Sequence, residues 1–524
     1  MKKNIMRAAA PVLALSLAAS LFTGCGSSST DETTTAASGT GATAESGSSE
    51  STGKDTLIIA TANETPSMTT NLHNAVAGDY MNRMTHSNLF KVDENMNIVP
   101  DVVESYENLS DTEWQFKIYE GIKYHNGMTM TAEDVKASLE LCAESPEVAQ
   151  YSQSIASIDV IDDLTVKITT NGPQSGLLSD LTHHGNCILP KELIESGHDF
   201  NKEPIGSGPY KFVAWNKGES IELEAFDEYF GEPAKIKHVI WKIIPEGSSR
   251  TMALEAGEVD VIVEVETTDV SRMESMDNII VANESGTGHN FMMINNEVAP
   301  FNNVDFRRAL NAAIDKSAIV QVALNGAGSP VDSMVPDCFP GTTSEGAPSY
   351  SPELAKSYLE ASGLDPADCG FTIICSNDTK LRAGQVIQSS LKENLGIDVT
   401  LESMDLATYL DTTSSGNYQA AIGGYTSSDL LSYVKGVYHS SSINASNKTR
   451  TNDPEIDALI EKLEATVDPE ENVAVAEELS ILLNENCPQV PLYMENSTRA
   501  YNADLKGFNV NASGTSDYAK FSWE

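Results

Sequence analysis

The chain has 524 residues, of which 40% are hydrophobic and 7% aromatic, and this composition excludes a wholly disordered or collagen-like protein. At roughly 100 to 200 residues per domain, the length predicts two or more domains. The 33 basic residues against 76 acidic ones give a net charge of −43, which disfavours binding to nucleic acid or to an anionic lipid surface.

The N-terminus has the pattern of a secretory signal. Basic residues at positions 2, 3 and 7 precede an apolar stretch at 8–22, which is shorter than the ~18 residues of a membrane-spanning helix. The stretch ends at Thr23-Gly24-Cys25, which resembles the cleavage site of bacterial lipoproteins except that Phe22 stands where Leu is usual. The resemblance implies that residues 1–24 are a lipoprotein signal peptide and that Cys25 carries the lipid anchor. The alternative is a secreted protein with a chance cysteine.

Residues 25–53 are predicted to be a flexible Ser/Thr/Gly tether, because after Cys25 they contain only small and acidic residues and Thr. No later stretch approaches the length of a membrane-spanning helix, so the lipid is the only membrane attachment that we expect. The six internal cysteines form no CxxC motif and no disulfide framework, and their pairing cannot be deduced from the sequence.

Strand and helix patterns alternate from residue 54 onward. Alternating or continuous apolar runs predict strands at 57–59, 114–118, 164–168, 221–225, 239–244, 259–263, 371–374 and 397–401. Apolar spacing predicts a helix that starts near Phe306 and stops at Asn325-Gly326. Capping residues predict further helices after Thr131, Ser351 and Asp453. This alternation is typical of a large mixed α/β protein.

Signatures of catalysis are absent from the sequence. There is no GxSxG, HExxH, Walker-type or post-strand GxGxxG motif, and the adjacent pair His183-His184 has no further ligand at metal-binding spacing. We therefore expect a protein without catalytic residues, bound metal or cofactor.

Seven segments in a fixed order carry a resemblance to a known family. They are WQFKIYEGIKYHNG at 114–127, PIGSGPYK at 204–211, ALEAGEVD at 253–260, NVDFRRALNAAIDK at 303–316, NGAG at 325–328, NDPEIDALI at 452–460 and PQVPLY at 488–493. Together they resemble the peptide/nickel class of bacterial extracellular solute-binding proteins, family 5, the receptors of ATP-binding-cassette (ABC) importers. Within 204–209, the Gly and Pro residues also indicate a sharp chain crossing, because Gly permits positive φ and Pro fixes its own φ.

The resemblance implies an α/β fold of the type II periplasmic-binding-protein kind, with two lobes joined by strands and an extra domain inserted in the first lobe. Lobe I would comprise 54–85, 204–288 and 497–524. The inserted lobe would comprise 86–203, and lobe II 289–496.

The implied function is to capture oligopeptides or dipeptides in the interlobe cleft by hinge closure and to deliver them to a membrane permease and its ATPase. We expect a monomer that is lipid-anchored to the outer face of the cytoplasmic membrane. Receptors for nickel chelates, sugars or haem on the same scaffold are alternatives. A surface hydrolase or an adhesive lipoprotein is the alternative from a different class.

The resemblance also suggests ligand-binding residues. In peptide-binding relatives, an Asp in a segment usually containing Trp and an Asp-Tyr-x-Asp-Pro-like run pairs with the peptide's α-ammonium group. The matching segment here, 423–431, lacks both the Trp and the Pro. It would supply Asp429 for the ammonium group, an aromatic wall and backbone-binding hydroxyls, the last two from Tyr425, Thr426, Ser427 and Ser428. The alternative is that Asp429 caps a helix that follows it.

Overall fold

The computed structural model describes residues 54–523. The first part of this range contains one strand and one helix, and then a mixed segment with its own sheet. The elements in order are β1 (Thr56–Thr61), α1 (Val76–Thr85), β2 (Phe90–Val92), β3 (Ile98–Pro100), β4 (Val103–Ser110), β5 (Glu113–Ile118), α2 (Ala132–Ala143), β6 (Ile155–Asp162), β7 (Thr165–Thr170), α3 (Leu177–Asp180) and α4 (Lys191–Ser196).

The chain then returns to strands and short helices and ends this part in its longest strand. These elements are β8 (Tyr210–Asn216), β9 (Ser220–Ala225), β10 (His238–Ile243), α5 (Gly247–Glu255), β11 (Val261–Val263), α6 (Val270–Met273) and β12 (Ile279–Ile294).

The remaining part is richer in helix. It contains α7 (Val304–Ala313), α8 (Lys316–Leu324), β13 (Gly328–Pro330), α9 (Pro352–Ser362), β14 (Phe371–Cys375), α10 (Asp378–Leu395), β15 (Val399–Ser403), α11 (Leu406–Ser415), β16 (Ala420–Thr426), α12 (Leu430–Val437), α13 (Pro454–Ala465), α14 (Pro469–Asn486), β17 (Gln489–Asn502), β18 (Leu505–Lys506) and β19 (Ser522–Trp523). Short 3-10 helices lie at Ala149–Tyr151, His184–Asn186, Pro366–Asp368, Ser440–Ser442 and Tyr518–Lys520.

A mixed sheet of 11 strands runs through the described chain in the order β15-β14-β16-β12-β17-β11-β1-β10-β9-β8, and β13 pairs with β17. The pairs β1–β10, β1–β11, β14–β15 and β14–β16 are parallel, whereas β12 and β17 are antiparallel along most of their length. A separate antiparallel sheet, β4-β5-β7-β6, belongs to the segment between α1 and β8. The long pair β12–β17 therefore joins the two ends of the large sheet.

Both faces of the large sheet are covered where β12 continues toward its end. Met292 and Ile294 point into a core that also contains Phe306 and Leu310 of α7, whereas Phe291 points into a second core formed largely with α12, α13 and α14. This two-sided burial follows from the alternation of side chains along a strand. A third core fills the segment around β4–β7, and further cores cover β1 and its neighbours.

The predicted helix starts are confirmed by hydrogen bonds at the caps. The backbone N–H of Thr131 donates to the Asp134 carboxylate at 2.8 Å, which completes a capping box, and the N–H of Leu354 donates to Ser351 Oγ at 3.2 Å. The N–H of Glu455 donates to Asp453 at 2.9 Å. These signals are local, and they were therefore readable without the fold.

The prediction of one helix from Phe306 to Asn325 was wrong, because the chain forms two. Helix α7 ends before Ile314, whose backbone is extended, and Asp315 starts α8 by accepting a hydrogen bond from the N–H of Ala318 at 3.0 Å. The stop at Asn325 is confirmed, since this residue ends α8 with φ of 53°. The N-cap at Asp315 therefore starts a new helix, although the apolar spacing continues through this position.

The glycines within 204–209 are required for close packing of the backbone, and not for the positive φ that the sequence suggested. A Cβ on Gly206 would lie 2.0 Å from the Thr85 carbonyl oxygen, and one on Gly208 would lie 2.6 Å from the Met84 carbonyl oxygen. Neither glycine is in the positive-φ region. They are required because the chain passes directly against the end of α1.

Two further features concern the described residues. No helix within 54–523 is both long and apolar enough to cross a membrane. The six cysteines in this range are unpaired; Cys338 is half-buried and the other five are buried.

Candidate functional site

The joining strands β12 and β17 are irregular at two points, between Ser285 and His289 and between Asn290 and Phe291, and the first is the larger. Ser285 of β12 pairs with Asn496 of β17, and the next aligned pair is His289 with Met494, so residues 286–288 face Glu495 alone. A Cβ on Gly286 would lie 2.5 Å from the Glu495 carbonyl oxygen. The bulge therefore depends on glycine, and bulges of this kind bend and twist a strand locally.

One cavity, of about 360 Å³, borders this bulge. Its lining includes Glu495 and the guanidinium of Arg499, a residue that is only 4% exposed. Arg499 Nη2 donates to the Gly514 carbonyl oxygen at 2.6 Å and to the Tyr80 hydroxyl at 3.1 Å. The cavity thus brings opposite charges close to the strands that join the two ends of the sheet.

A second cavity, of about 370 Å³, lies between β12, β16 and helix α11. We call it the α11 cavity. Its lining is mostly apolar or aromatic, with side chains from Phe291, Met293, Leu406, Tyr409, Leu410 and Tyr425. Two lysines, Lys380 and Lys448, also line it. An apolar concave surface with a few polar groups is the usual composition of a small-molecule site.

A chain of polar contacts connects the two cavities. Asn290 Nδ2 donates to Glu495 Oε1 at 2.9 Å, and Lys380 Nζ donates to Asn290 Oδ1. Glu495 lines the cavity at the bulge, and Lys380 lines the α11 cavity. A ligand that occupied both cavities would therefore contact Glu495 at one end of this series of hydrogen bonds and Lys380 at the other.

One edge of β16 is free beside the α11 cavity. Strand β14 pairs with β16 only at Ala420 and Ala421, whereas β12 pairs with β16 along its whole length to Thr426. Among the described strands, none covers the β14 side of residues 422–426, but the Ile422 carbonyl oxygen accepts from the Tyr409 hydroxyl at 2.9 Å, and residues 422 and 423 are buried. At residues 424–426 this edge can accept an added strand, because its backbone groups on that side lack a ladder partner.

The predicted ligand-binding segment, residues 423–431, is divided between the α11 cavity and the start of α12. The ring of Tyr425 lines the α11 cavity and meets the Tyr433 ring edge to face, with centroids 5.8 Å apart. Burial, with a smaller effect of the Asp429 charge, raises the pKa of Tyr425. Thr426 is exposed at the end of β16, where it pairs with Gly288.

Asp429 is the N-cap of α12, as the structural alternative predicted. Its Oδ1 accepts from the Ser432 N–H at 2.8 Å, and its Oδ2 accepts from the Ser428 and Ser432 hydroxyls, each at 2.9 Å. The Ser427 hydroxyl donates to the Asp429 carbonyl oxygen. A role for Asp429 in binding an ammonium group stays a prediction, since a carboxylate can accept more hydrogen bonds than a cap requires.

The Asp429 carboxylate also faces the segment between α1 and β8. The Ser179 hydroxyl of α3 donates to Asp429 Oδ2 at 3.4 Å, and the Ser175 N–H donates to the Glu464 carbonyl oxygen at 2.9 Å. Burial and the Asp429 charge raise the pKa of Asp180 to about 8. Within 54–523, neither Asp180 nor Asp429 has a basic side chain within 4.0 Å. Asp180 is therefore mainly protonated at neutral pH, and a cation bound beside the two acids would favour its ionised form.

The sequence did not indicate the lysines of the α11 cavity or Asp180. Lys380 lies in the first turn of α10, and Lys448 lies in a loop between α12 and α13. These positions carry no motif. No group of three or more His, Cys, Asp or Glu residues within 54–523 is arranged to hold a metal ion.

The sequence and the fold match known proteins. The sequence model of the bacterial extracellular solute-binding proteins, family 5, matches residues 97–445. Glutathione-binding protein GsiB of Pectobacterium atrosepticum is 28% identical over 61% of this chain and 63% of its own length, slightly under two thirds. The probable D,D-dipeptide-binding periplasmic protein DdpA of Escherichia coli is 27% identical over 78% of this chain and 82% of its own length.

Among solved structures, HbpA2 from Haemophilus parasuis has a TM-score of 0.82 and 22% identity, covering 90% of this chain and 100% of that chain. The expected two-lobed α/β binding-protein fold is thereby confirmed, as is the family that the motifs suggested. The chain belongs to the bacterial extracellular solute-binding proteins, family 5.

Proposed function

We propose that this protein is the substrate-binding component of an ABC importer and that it captures peptides. The observation that carries the proposal is the free edge of β16 at residues 424–426, next to the α11 cavity. An extended peptide can pair its main chain with such an edge regardless of its side chains, and adjacent cavities can then select among side chains. Family membership and the names of the dipeptide- and glutathione-binding relatives support a peptide ligand.

The residues suggested by the sequence have roles in this proposal. Tyr425 forms part of the wall for a ligand side chain, and the hydroxyls of Thr426, Ser427 and Ser428 bind ligand backbone groups. The Ser427 and Ser428 hydroxyls do so as acceptors, because they donate their hydrogens to Asp429. The peptide's ammonium group binds at Asp429, where the nearby Asp180 adds a second acid. An ammonium group there would compensate two carboxyl groups that have no basic side chain within 4.0 Å among the described residues.

Closure of the protein over the peptide would use the joining strands. We propose that residues 54–85, 204–288 and 497–524 move as one lobe against 289–496, with 86–203 as the inserted lobe. The bulge at residues 286–288 lies at the border between the two lobes, where a glycine-dependent irregularity can absorb a change of backbone angle.

Attachment to the membrane rests on a part of the chain outside the described residues. The signal peptide at 1–24, the lipid anchor at Cys25 and the tether at 25–53 all lie there. We propose a lipid-anchored monomer on the outer face of the cytoplasmic membrane that delivers peptides to a permease and its ATPase.

Native mass spectrometry tests the proposed ligand class. The protein is mixed with a library of peptides of two to eight residues, freed of unbound material and ionised under non-denaturing conditions. The proposal expects the protein to retain peptides whose masses are those of library members, with varied side chains because the main chain supplies much of the binding. Retention of no peptide from the library would contradict it.

A further inference from the structure

The α11 cavity has an apolar lining that is partly open to solvent. Leu406 is 59% exposed and Leu410 is 49% exposed, and both project from the helix that forms one wall. Across the cavity, Gly423 has no room for a side chain, because a Cβ there would lie 2.7 Å from the Tyr409 hydroxyl oxygen. An apolar group of a ligand would remove these leucines from water, and such burial contributes about 25 cal/mol per Å².

The two lysines of the cavity have only uncharged hydrogen-bond partners. Lys380 Nζ donates to Asn290 Oδ1 and, at 3.0 Å, to the Tyr493 hydroxyl, whereas Lys448 Nζ donates to Ser414 Oγ. An ammonium group has three N–H donors, so each lysine retains at least one. Neither lysine has a carboxylate within 4.0 Å among residues 54–523.

This lack of acidic partners contrasts with other lysines of the same lobe. Lys316 pairs with Asp332, Lys392 pairs with Asp398 at 2.7 Å, and Lys435 pairs with Glu464 at 2.6 Å. In a chain with a net charge of −43, acidic partners are abundant. The lysines of the α11 cavity therefore lie beside apolar walls without a direct ion pair, and Glu495 reaches Lys380 only through Asn290.

Burial weakens the hydration of both ammonium groups. It lowers the pKa of Lys380, which the charges of Glu495 and Cys375 partly offset, and it lowers the pKa of Lys448. A poorly hydrated cation gains more from an anion than an exposed one does, since the surrounding dielectric constant is lower. An anionic group that entered the cavity would find donors and little competing water.

We propose that the α11 cavity selects peptides that present an apolar side chain beside a free carboxylate, with the carboxylate accepting hydrogen bonds from Lys380 and Lys448. The apolar side chain packs against Leu406, Leu410 and Tyr409. This inference rests on the proposed function, because it specifies which peptides the cleft retains.

A comparison of peptide acids with peptide amides tests the inference on the unmodified protein. Peptides that end in Phe or Leu are measured by isothermal titration calorimetry as free acids and as C-terminal amides. We expect amidation to raise Kd at least tenfold, the scale of a charge-assisted hydrogen bond. Replacing the terminal Phe by Ser should also weaken binding severalfold.

Variants then assign the effect to the lysines. Lys380→Met and Lys448→Met should each reduce the ratio of amide to acid Kd, and the double variant should bring it close to one. Lys448→Arg should keep the ratio because it retains the charge. Lys392→Met is the matched control on the same lobe, since Lys392 is exposed and pairs with Asp398, and it should leave the ratio unchanged.

The outcomes separate this inference from the proposed function. Equal binding of acids and amides by the wild type overturns the carboxylate site while peptide capture stands. A ratio that survives in the double variant also overturns it. Failure of every peptide, in either form, overturns the proposed function and this inference with it.

Discussion

Asp429 has an observed role as a helix cap and a proposed role as an ammonium anchor, and two substitutions separate them. Asp429→Asn keeps a carbonyl oxygen that can accept the Ser432 N–H, now 2.8 Å from Oδ1, and removes only the charge. Asp429→Ala removes both. The pair therefore distinguishes the stability of α12 from the binding of a cation.

The expected magnitudes differ enough to decide between the roles. Asn and Asp are equivalent caps, so Asp429→Asn should change the free energy of unfolding by less than about 0.5 kcal/mol, whereas Asp429→Ala should lower it by about 1 kcal/mol. Breaking an enclosed ammonium-carboxylate pair costs about 3 to 5 kcal/mol. At about 1.4 kcal/mol per factor of ten, both variants should bind free peptides at least a hundredfold more weakly.

The assay combines thermal unfolding with calorimetric titration of one peptide in free and N-acetylated form. The matched control is Asp468→Asn, which alters an Asp that caps α14 by accepting from the Glu470 and Glu471 N–H groups. Asp468→Asn should change neither the free energy of unfolding nor the Kd for the peptide. If Asp429→Asn binds free peptide within twofold of wild type, or if wild type binds acetylated peptide equally well, Asp429 is a cap and not the anchor.

Three further predictions concern acidity, the bulge and the membrane. Between about pH 4 and pH 8 the folded protein should hold a proton on Asp180 that the unfolded chain lacks, so its free energy of unfolding falls as pH rises. Asp180→Asn should therefore raise the free energy of unfolding at pH 8 and not at pH 4, whereas Asp163→Asn, at an exposed position, is the control and should not. If the free energy of unfolding of wild type and of Asp180→Asn changes in parallel with pH, this prediction is contradicted. Gly286→Ala should lower the free energy of unfolding by about 1 to 3 kcal/mol in thermal unfolding, because its Cβ would lie 2.5 Å from a backbone oxygen, whereas Gly172→Ala, with nothing within 4 Å, should not. Cys25→Ser should move the protein from the membrane fraction to the soluble fraction, and wild type found wholly in the medium would refute the lipid anchor.

The sequence predicted what is decided locally. The capping box at Thr131, the Ser351 cap and the Asp453 cap each involve residues within a few positions of one another, and all three helices start where expected. The break at Ile314 was missed because an apolar residue at helical spacing does not reveal that the following Asp will cap a new helix.

The candidate site was only partly predictable, because its members are far apart in the chain. Tyr425 was found through the resemblance of its segment to relatives. Lys380, Lys448 and Asp180 come from α10, from a loop and from the segment between α1 and β8, and their environments arise only when the fold brings them together. No local motif encodes the absence of a carboxylate near a lysine.

A structure of the protein with a bound peptide would show whether β16 captures the peptide main chain. We expect an extended peptide whose main chain pairs with the free edge of β16 at residues 424–426, with N···O distances of about 2.7 to 3.2 Å, and whose apolar side chain occupies the α11 cavity. A peptide bound elsewhere, or held only through its side chains with the β16 edge still free, would contradict peptide capture by strand addition.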